Sequence, residues 1–192
     1  MADLLQPADL DPQTKQSSPR VLRWLGRAAR EIGETIIPAV VIALVINLFL
    51  AQATQVLGQS MEPTLHSAQR VVVEKVTYRF IHGPRRGDIV VLNLPGQHEL
   101  LIKRVIGLPG ETIEVREGRV YIDGVALEEP WSINPGGRDY GPTVVPPLHV
   151  FVLGDNRGAS NDSRSFGPVR ISDIIGRAWF SYWPPQDIGL VD

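Results

Sequence analysis

The sequence predicts a mostly β domain of antiparallel strands preceded by one N-terminal transmembrane helix. Three observations carry this. An apolar run with a basic flank lies near the N-terminus, short runs rich in Val, Ile and aromatic residues recur between Gly and Pro from about residue 54 onward, and tight-turn dipeptides join some of those runs.

Residues 1–18 are rich in Pro, Gln, Asp and Ser without apolar periodicity, which predicts a disordered tail. From Lys15 to Arg30 the chain carries five basic residues, Lys15, Arg20, Arg23, Arg27 and Arg30, and no acidic one. This basic juxtamembrane segment, 19–35, leads into the run IIPAVVIALVINLFLA at 36–51, which with its flanks reaches the ~20 residues a helix needs to cross a bilayer. The anchor is assigned to 36–53, with Pro38 near its start, where a helix tolerates proline. Basic residues on the N-terminal side place that terminus in the cytoplasm and everything after the anchor on the far side. Two other readings stand beside the anchor: a buried core helix, or a cleavable leader, because Ala51-Gln52-Ala53 has the A-x-A form of a cleavage site. The long lead before Ile36 favours an uncleaved anchor.

Residues 54–192 contain the runs RVVVEKVTYRF, DIVVLNL, LLIKRVIGL, TIEVREGRVYIDGVAL, HVFVLGD and IIGRAWFSYW, each predicted as strand. Glu117-Gly118 predicts a hairpin and Asp123-Gly124 a second tight turn. Residues 128–147 are crowded with Pro and Gly and are expected to form an irregular excursion from the sheet.

Composition narrows the chemistry by exclusion. The formal net charge is −2 with both signs interspersed, so no basic surface invites nucleic acid. The absence of cysteine removes disulfides, a thiol nucleophile and thiolate metal sites. His66, His82, His98 and His149 are scattered without metal-ligand spacing, and no metal or other cofactor is expected.

Three segments place reactive side chains among residues that would tune them: GQSMEPTL (58–65), LLIKRVIGLPGE (100–111) and LGDNRGASNDSRSFGPV (153–169). Ser60 lies between Gly58 and Pro63, on a bend that presents its hydroxyl and amide, although an ordinary turn serine would look the same. Lys103 is one of only three lysines, with Lys15 and Lys75, among 19 basic residues, and it interrupts a strand of Leu, Ile and Val. Alternation puts Leu101 and Lys103 on one face and Ile102 and Arg104 on the other, so one of the two cations must point to the more covered side. Arg cannot give up its proton, whereas Lys can. A free lysine leaves roughly one molecule in 2,500 neutral at pH 7, and burial that lowers its pKa by ~3 units raises that to roughly a quarter. Such a lysine can deprotonate a serine hydroxyl, and the plain alternative is an edge lysine whose ammonium snorkels to water. In the third segment Asp162 and Arg164 form a natural ion pair, and Ser160 can hydrogen-bond a neighbouring lysine amine.

Gly58–Leu65, Arg86–Val91, Ile102–Glu111 and Gly154–Arg164 resemble, in order and at matching separations, the sequence boxes of the bacterial type I signal peptidases. The resemblance covers the anchor and most of the chain after Thr54. It implies a membrane-bound serine endopeptidase that removes signal peptides from exported preproteins after small residues in an A-x-A pattern. By position, it implies that Ser60 attacks the scissile carbonyl, Lys103 acts as base and then acid, Ser160 orients the lysine amine, and Asp162 and Arg164 are structural support. The Ser60 amide would be one oxyanion donor. Some members add a serine hydroxyl two positions before the nucleophile, where this chain has Gly58, so the second donor is unassigned.

The implied fold is a mostly antiparallel β-structure whose exposed apolar surface rests on the membrane. Substrate is expected as an added strand along 54–59 and 100–102, with Val56, Gly58, Met61, Leu65 and Ile102 lining shallow pockets. The implied partners are preproteins and membrane lipid. The implied location is a single pass in the plasma membrane or an internal energy-transducing membrane, with the catalytic domain on the outer face.

Two rivals remain at this level. A self-cleaving repressor-type peptidase shares the Ser/Lys chemistry but carries a DNA-binding module without counterpart in these residues. A non-catalytic, membrane-tethered β domain that binds exported polypeptides would need Ser60 only as a turn residue.

Overall fold

The computed structural model describes residues 19–46 and 50–191, so the tail expected over 1–18 lies outside the described residues, as do 47–49 of the apolar run. The chain divides into two compact units between Leu44 and Val45. The first holds all but the last residue of one helix, α1, Pro19–Val45. Pro19 suits the first helical position, where its missing N–H has no partner to lose. The helix takes in both the basic segment and the start of the apolar run, so no structural boundary falls at residue 36. Pro38 sits in the helix interior, not near its start as anticipated, and there it removes one donor from the ladder.

The expected anchor over 36–53 is also corrected at its far end, because Ala51–Gln55 is a strand, β1. Among the described residues no helix is long and apolar enough to cross a membrane. Ile36, Ile37, Val40, Val41, Ile42 and Leu44 are each between 50% and 64% exposed.

The second unit is mostly β. Its strands are β1, then β2 (Arg70–Glu74), β3 (Ile89–Leu92), β4 (Leu101–Gly107), β5 (Thr112–Arg116), β6 (Arg119–Ile122), β7 (Val125–Ala126), β8 (Tyr140–Val144), β9 (His149–Leu153), β10 (Val169–Arg170), β11 (Ile174–Trp183) and β12 (Gly189–Leu190). A short helix, α2 (Ser163–Phe166), lies between β9 and β10. One sheet runs β1-β2-β11-β3-β4-β9-β10, with β12 added to β11, and a second runs β7-β6-β5-β8. Every strand pair is antiparallel.

Most elements follow from local chemistry. Val71 and Val73 of β2, and Ile113 and Val115 of β5, are buried at every second position, the period of a pleated strand with one covered face. Both predicted tight turns form, with φ positive at Glu117 and Gly118 and again at Asp123 and Gly124, as two-residue hairpin loops require.

The run 70–80 is not one strand. β2 stops at Glu74, whose Oε2 accepts the N–H groups of Val76 (3.1 Å) and Thr77 (3.0 Å) and turns the chain into a π-helical turn, Thr77–Ile81. Part of the excursion expected over 128–147 is likewise ordered strand, since β8 pairs with β5 and closes the second sheet.

The core cluster nearest the Ser60 segment holds Val56, Met61, Leu65, Val71, Val73, Ile89, Val91, Ile102 and Ala178. A second, with Ile106, Ile113, Val120 and Phe151, joins β4 and β9 to the smaller sheet. Gly107 allows that approach, because a Cβ there would lie 2.9 Å from Phe151 Cβ.

Candidate active site

Ser60 lies on the loop between β1 and β2. The loop is closed at its base by Val56 N–H to Gln69 O (2.8 Å) and Ala68 N–H to Val56 O (2.9 Å). Met61 and Leu65 anchor it from within, each 1% exposed, and the Leu65 N–H returns to Met61 O at 2.9 Å. Gly58 bends the chain just before Ser60 with φ of 81°, a left-handed conformation that glycine adopts without strain.

Lys103 reaches this loop from β4. That strand pairs with β3 from Leu101 to Arg104, but with β9 only from Arg104 onward, so Leu101–Lys103 have a strand neighbour on one side. The Lys103 Nζ donates to Ser60 Oγ at 2.7 Å and to Ile102 O at 2.8 Å. Alternation led us to expect one covered cation, and both are covered: Lys103 is 3% and Arg104 1% exposed. Burial lowers the Lys103 pKa to about 8, against the opposing pull of the Asp162 and Asp155 charges. An amine with that value is neutral in ~10% of molecules at pH 7, some 250 times the fraction for a free lysine.

The third segment supports both groups. The Asn156 N–H donates to Ser60 O at 3.1 Å and fixes the backbone of the serine. Asp162 is fully buried and caps α2. Arg164 reaches it with its backbone N–H (3.2 Å), Nε (2.9 Å) and Nη2 (2.8 Å), so the expected ion pair is present. Burial alone would push the Asp162 carboxyl up, but hydrogen bonds from Arg164 and the Gly154 amide, with the Ser160 hydroxyl close by, hold it below the usual carboxylate range. Ser160 helps keep Asp162 ionised, yet its buried Oγ completes no hydrogen bond of ordinary geometry, either to Asp162 or to the Lys103 amine it was expected to orient.

Sequence reasoning missed the scaffold on the other face of β4. Arg104 grips Asp155 with Nε to Oδ1 (2.9 Å) and Nη2 to Oδ2 (2.7 Å), donates to Gly87 O (2.8 Å), and lies over the Trp131 ring at 4.7 Å. Thr64, four residues after Ser60, donates to the same Asp155 at 2.6 Å. Arg157 is pinned by Glu129 and by Gly154 O, and Glu111 ties Arg86 (2.6 Å) to the Leu108 amide (2.7 Å) at the bend after β4. Charged residues in a mixed stretch gave the only signal for these pairs, and it did not say which would meet. The cavity of about 620 Å³ behind this scaffold is lined by Arg104, Thr64, Asp88, Trp131 and Arg177, and by neither Ser60 nor Lys103.

The pocket assignments fare differently. Val56, Met61 and Leu65 are closed into the core at 2%, 1% and 1% exposure, so they form a floor and not open walls. Ile102 keeps 8% exposure beside the open edge of β4, and Gly58 is exposed.

A serine hydroxyl held against a buried amine of lowered pKa, at the open edge of an antiparallel sheet, is the arrangement of a serine-type hydrolase. Comparison with known proteins names the family. The family model for signal peptidase, peptidase S26, matches residues 29–183, and the chain belongs to that family.

It is 40% identical to a probable signal peptidase I-2 of a Synechocystis strain, over 92% of this chain and 81% of that one. It is 45% identical to a signal peptidase I of Leptolyngbya laminosa, over 81% and 80%. It is 32% identical to the chloroplastic thylakoidal processing peptidase 1 of Arabidopsis thaliana, over 93% of this chain and 56% of that one. The protein is thus a serine-type signal peptidase acting on proteins that bear signal peptides.

Proposed function

We propose that Ser60 is the nucleophile and Lys103 the general base of a membrane-bound endopeptidase that cuts preproteins after A-x-A. The 2.7 Å contact between Lys103 Nζ and Ser60 Oγ carries this reading. Neutral Lys103 takes the Ser60 proton as Oγ attacks the scissile carbonyl, and then returns it to the leaving amine. The acyl-enzyme ester is hydrolysed by a water that the same amine activates. The Ser60 backbone N–H is the first oxyanion donor, and loss of one such donor costs about 3–4 kcal/mol of barrier lowering in comparable sites. Asp162 and Arg164, with Ser160, hold the wall against which the lysine packs.

Substrate adds as a strand against Leu101–Lys103, whose outer edge is unpaired, and along 54–59. Small side chains fit because the floor of Val56 and Met61 is already closed. The exposed apolar side chains of α1, the basic residues before them and the thylakoidal name of one relative support attachment to a plasma or thylakoid-type membrane, with the second unit on the outer face.

The test is cleavage of a purified preprotein bearing an A-x-A site by detergent-solubilised enzyme. Cutting at that site by the wild type, and none by Ser60→Ala or Lys103→Arg, is the expected result. Equal cutting by Lys103→Arg would remove Lys103 from the mechanism.

A further inference from the structure

The excursion between β7 and β8 reaches the Ser60 loop through the main chain. Asn134 and Asn156 form an isolated parallel bridge. The Asn134 N–H donates to Asp155 O, and its carbonyl accepts the Arg157 N–H, both at 2.9 Å. Backbone groups alternate in direction along an extended segment, so the Asn156 N–H points the opposite way, and there it donates to Ser60 O at 3.1 Å. Three segments far apart in the sequence thus make one short ladder, with Asn134 on one side, Asn156 in the middle and Ser60 on the other. We infer that Asn134 is a positioning residue for Ser60, acting through the Asn156 backbone. The inference rests on the role proposed for Ser60 above.

The Ser60 peptide needs such a tether. Its loop is fastened at the base by Val56 and Gln69, and Met61 is fixed in the core, but rotation of the peptide between Ser60 and Met61 is checked by the bond from Asn156. A rotated peptide swings the Ser60 hydroxyl away from Lys103 Nζ. A misplacement of about 1 Å in a reacting group can cost on the order of 100-fold in rate.

The middle of the ladder is held from the excursion side. Glu129 accepts from both Nη1 (3.1 Å) and Nη2 of Arg157, the residue after Asn156, whose side chain is buried. Trp131 donates Nε1 to the same Glu129 at 3.2 Å and covers the Arg104 guanidinium. Arg138 closes the far end by donating to Arg164 O. Gly137 lets the chain pass this closely, because a Cβ there would lie 2.4 Å from Arg157 O. Residues 129–138 therefore lie along the Gly154–Arg164 segment as a splint. The open edge of Leu101–Lys103 is built without them, from the pairing of β4 with β3.

The test compares wild type, Asn134→Pro and Asn134→Ala in detergent, cutting a preprotein that bears an A-x-A site. Proline removes the N–H that binds Asp155 O, whereas alanine keeps both backbone bonds and removes only an exposed side chain. Asn134→Pro should lower kcat at least tenfold and change KM less than twofold, because the substrate edge is intact. Its kcat/KM should still bend near pH 8, since the burial of Lys103 is unchanged. Asn134→Ala should cut as the wild type does. Glu129→Gln weakens the hold on Arg157 without touching the backbone, and serves if the proline variant does not fold. It should lower kcat at least threefold at unchanged KM.

Wild-type kcat in a folded Asn134→Pro enzyme, or an equal loss in Asn134→Ala, would overturn this inference and leave the proposed function standing. With the proline variant unfolded, unchanged kcat in Glu129→Gln would do the same. A raised KM at unchanged kcat would overturn it too, by showing that the excursion binds substrate. Failure of the wild type to cut the preprotein would bring down both readings.

Discussion

Gly154 makes room for Ser160: a Cβ on Gly154 would fall 2.3 Å from Ser160 Oγ and 2.4 Å from the Ser60 carbonyl oxygen. The backbone just after β9 therefore runs close against the Ser60 peptide, and the absence of a side chain there is a condition of the site. Gly154→Ala must push Ser60, Ser160 or both. The expected result is at least a hundredfold loss of kcat/KM with a stability loss of about 1–3 kcal/mol, as for overpacking elsewhere. Near-normal turnover by a folded Gly154→Ala enzyme would show that the loop yields without consequence.

Activity should follow the protonation of Lys103. With its pKa lowered to about 8 by burial, the neutral base grows tenfold per pH unit below that value and levels above it. The profile of kcat/KM should therefore rise through pH 6 and 7 and bend near 8. A flat profile over this range would exclude Lys103 as the titrating base.

The same shift sets a stability cost. Between about 8 and 10.5 the unfolded lysine holds a proton that the folded one has released, so stability climbs with pH across that window. Below about 8 the full penalty is present, on the order of 3 kcal/mol, and above 10.5 it is gone. Lys103→Met should remove both the penalty and the slope, giving an inactive protein that is more stable at pH 7. Denaturant titrations of both proteins at pH 7 and 10 would check this, and parallel pH dependence in the two would refute it.

Removing one partner from the Arg104–Asp155 pair should cost more than any surface change. Both groups are buried, at 1% and 0% exposure, and Asp155→Ala removes the carboxylate partner of a buried guanidinium. A loss of about 3–5 kcal/mol is expected. Activity should fall with it, because Thr64 loses its acceptor and the Ser60 loop its tether. Thermal unfolding measures the first effect, and turnover well below the melting range measures the second.

The strands with β-branched repeats, both tight turns and the positions of Ser60 and Lys103 were legible in the sequence, because each is encoded by neighbours along the chain. β1 was not. Its sequence, Ala-Gln-Ala-Thr-Gln, offers no large apolar side chain and is strand only because β2 pairs with it. β8 hid behind Gly141 and Pro142, which argue locally against a strand and are accommodated at the edge of the smaller sheet. The extent of α1 was misjudged because hydropathy marks a change of solvent and not a change of backbone. Of the site, the Asp162–Arg164 pair could be read from its spacing of two residues. The Arg104–Asp155 pair spans 51 positions and is fixed only by strand register.

Lys103 and Arg104 are neighbours on one strand, yet each is buried on its own side for its own purpose. A slip of β4 by a single residue would exchange them. The position beside Ser60 would then hold a guanidinium that keeps its proton at any pH a cell reaches, and Asp155 would face an amine unable to form the two-pronged grip. A misaligned molecule would thus lose its chemistry and its scaffold together. On the role proposed for Lys103, the register of β4 acts as a lock, so that only a correctly assembled sheet gains the power to cut.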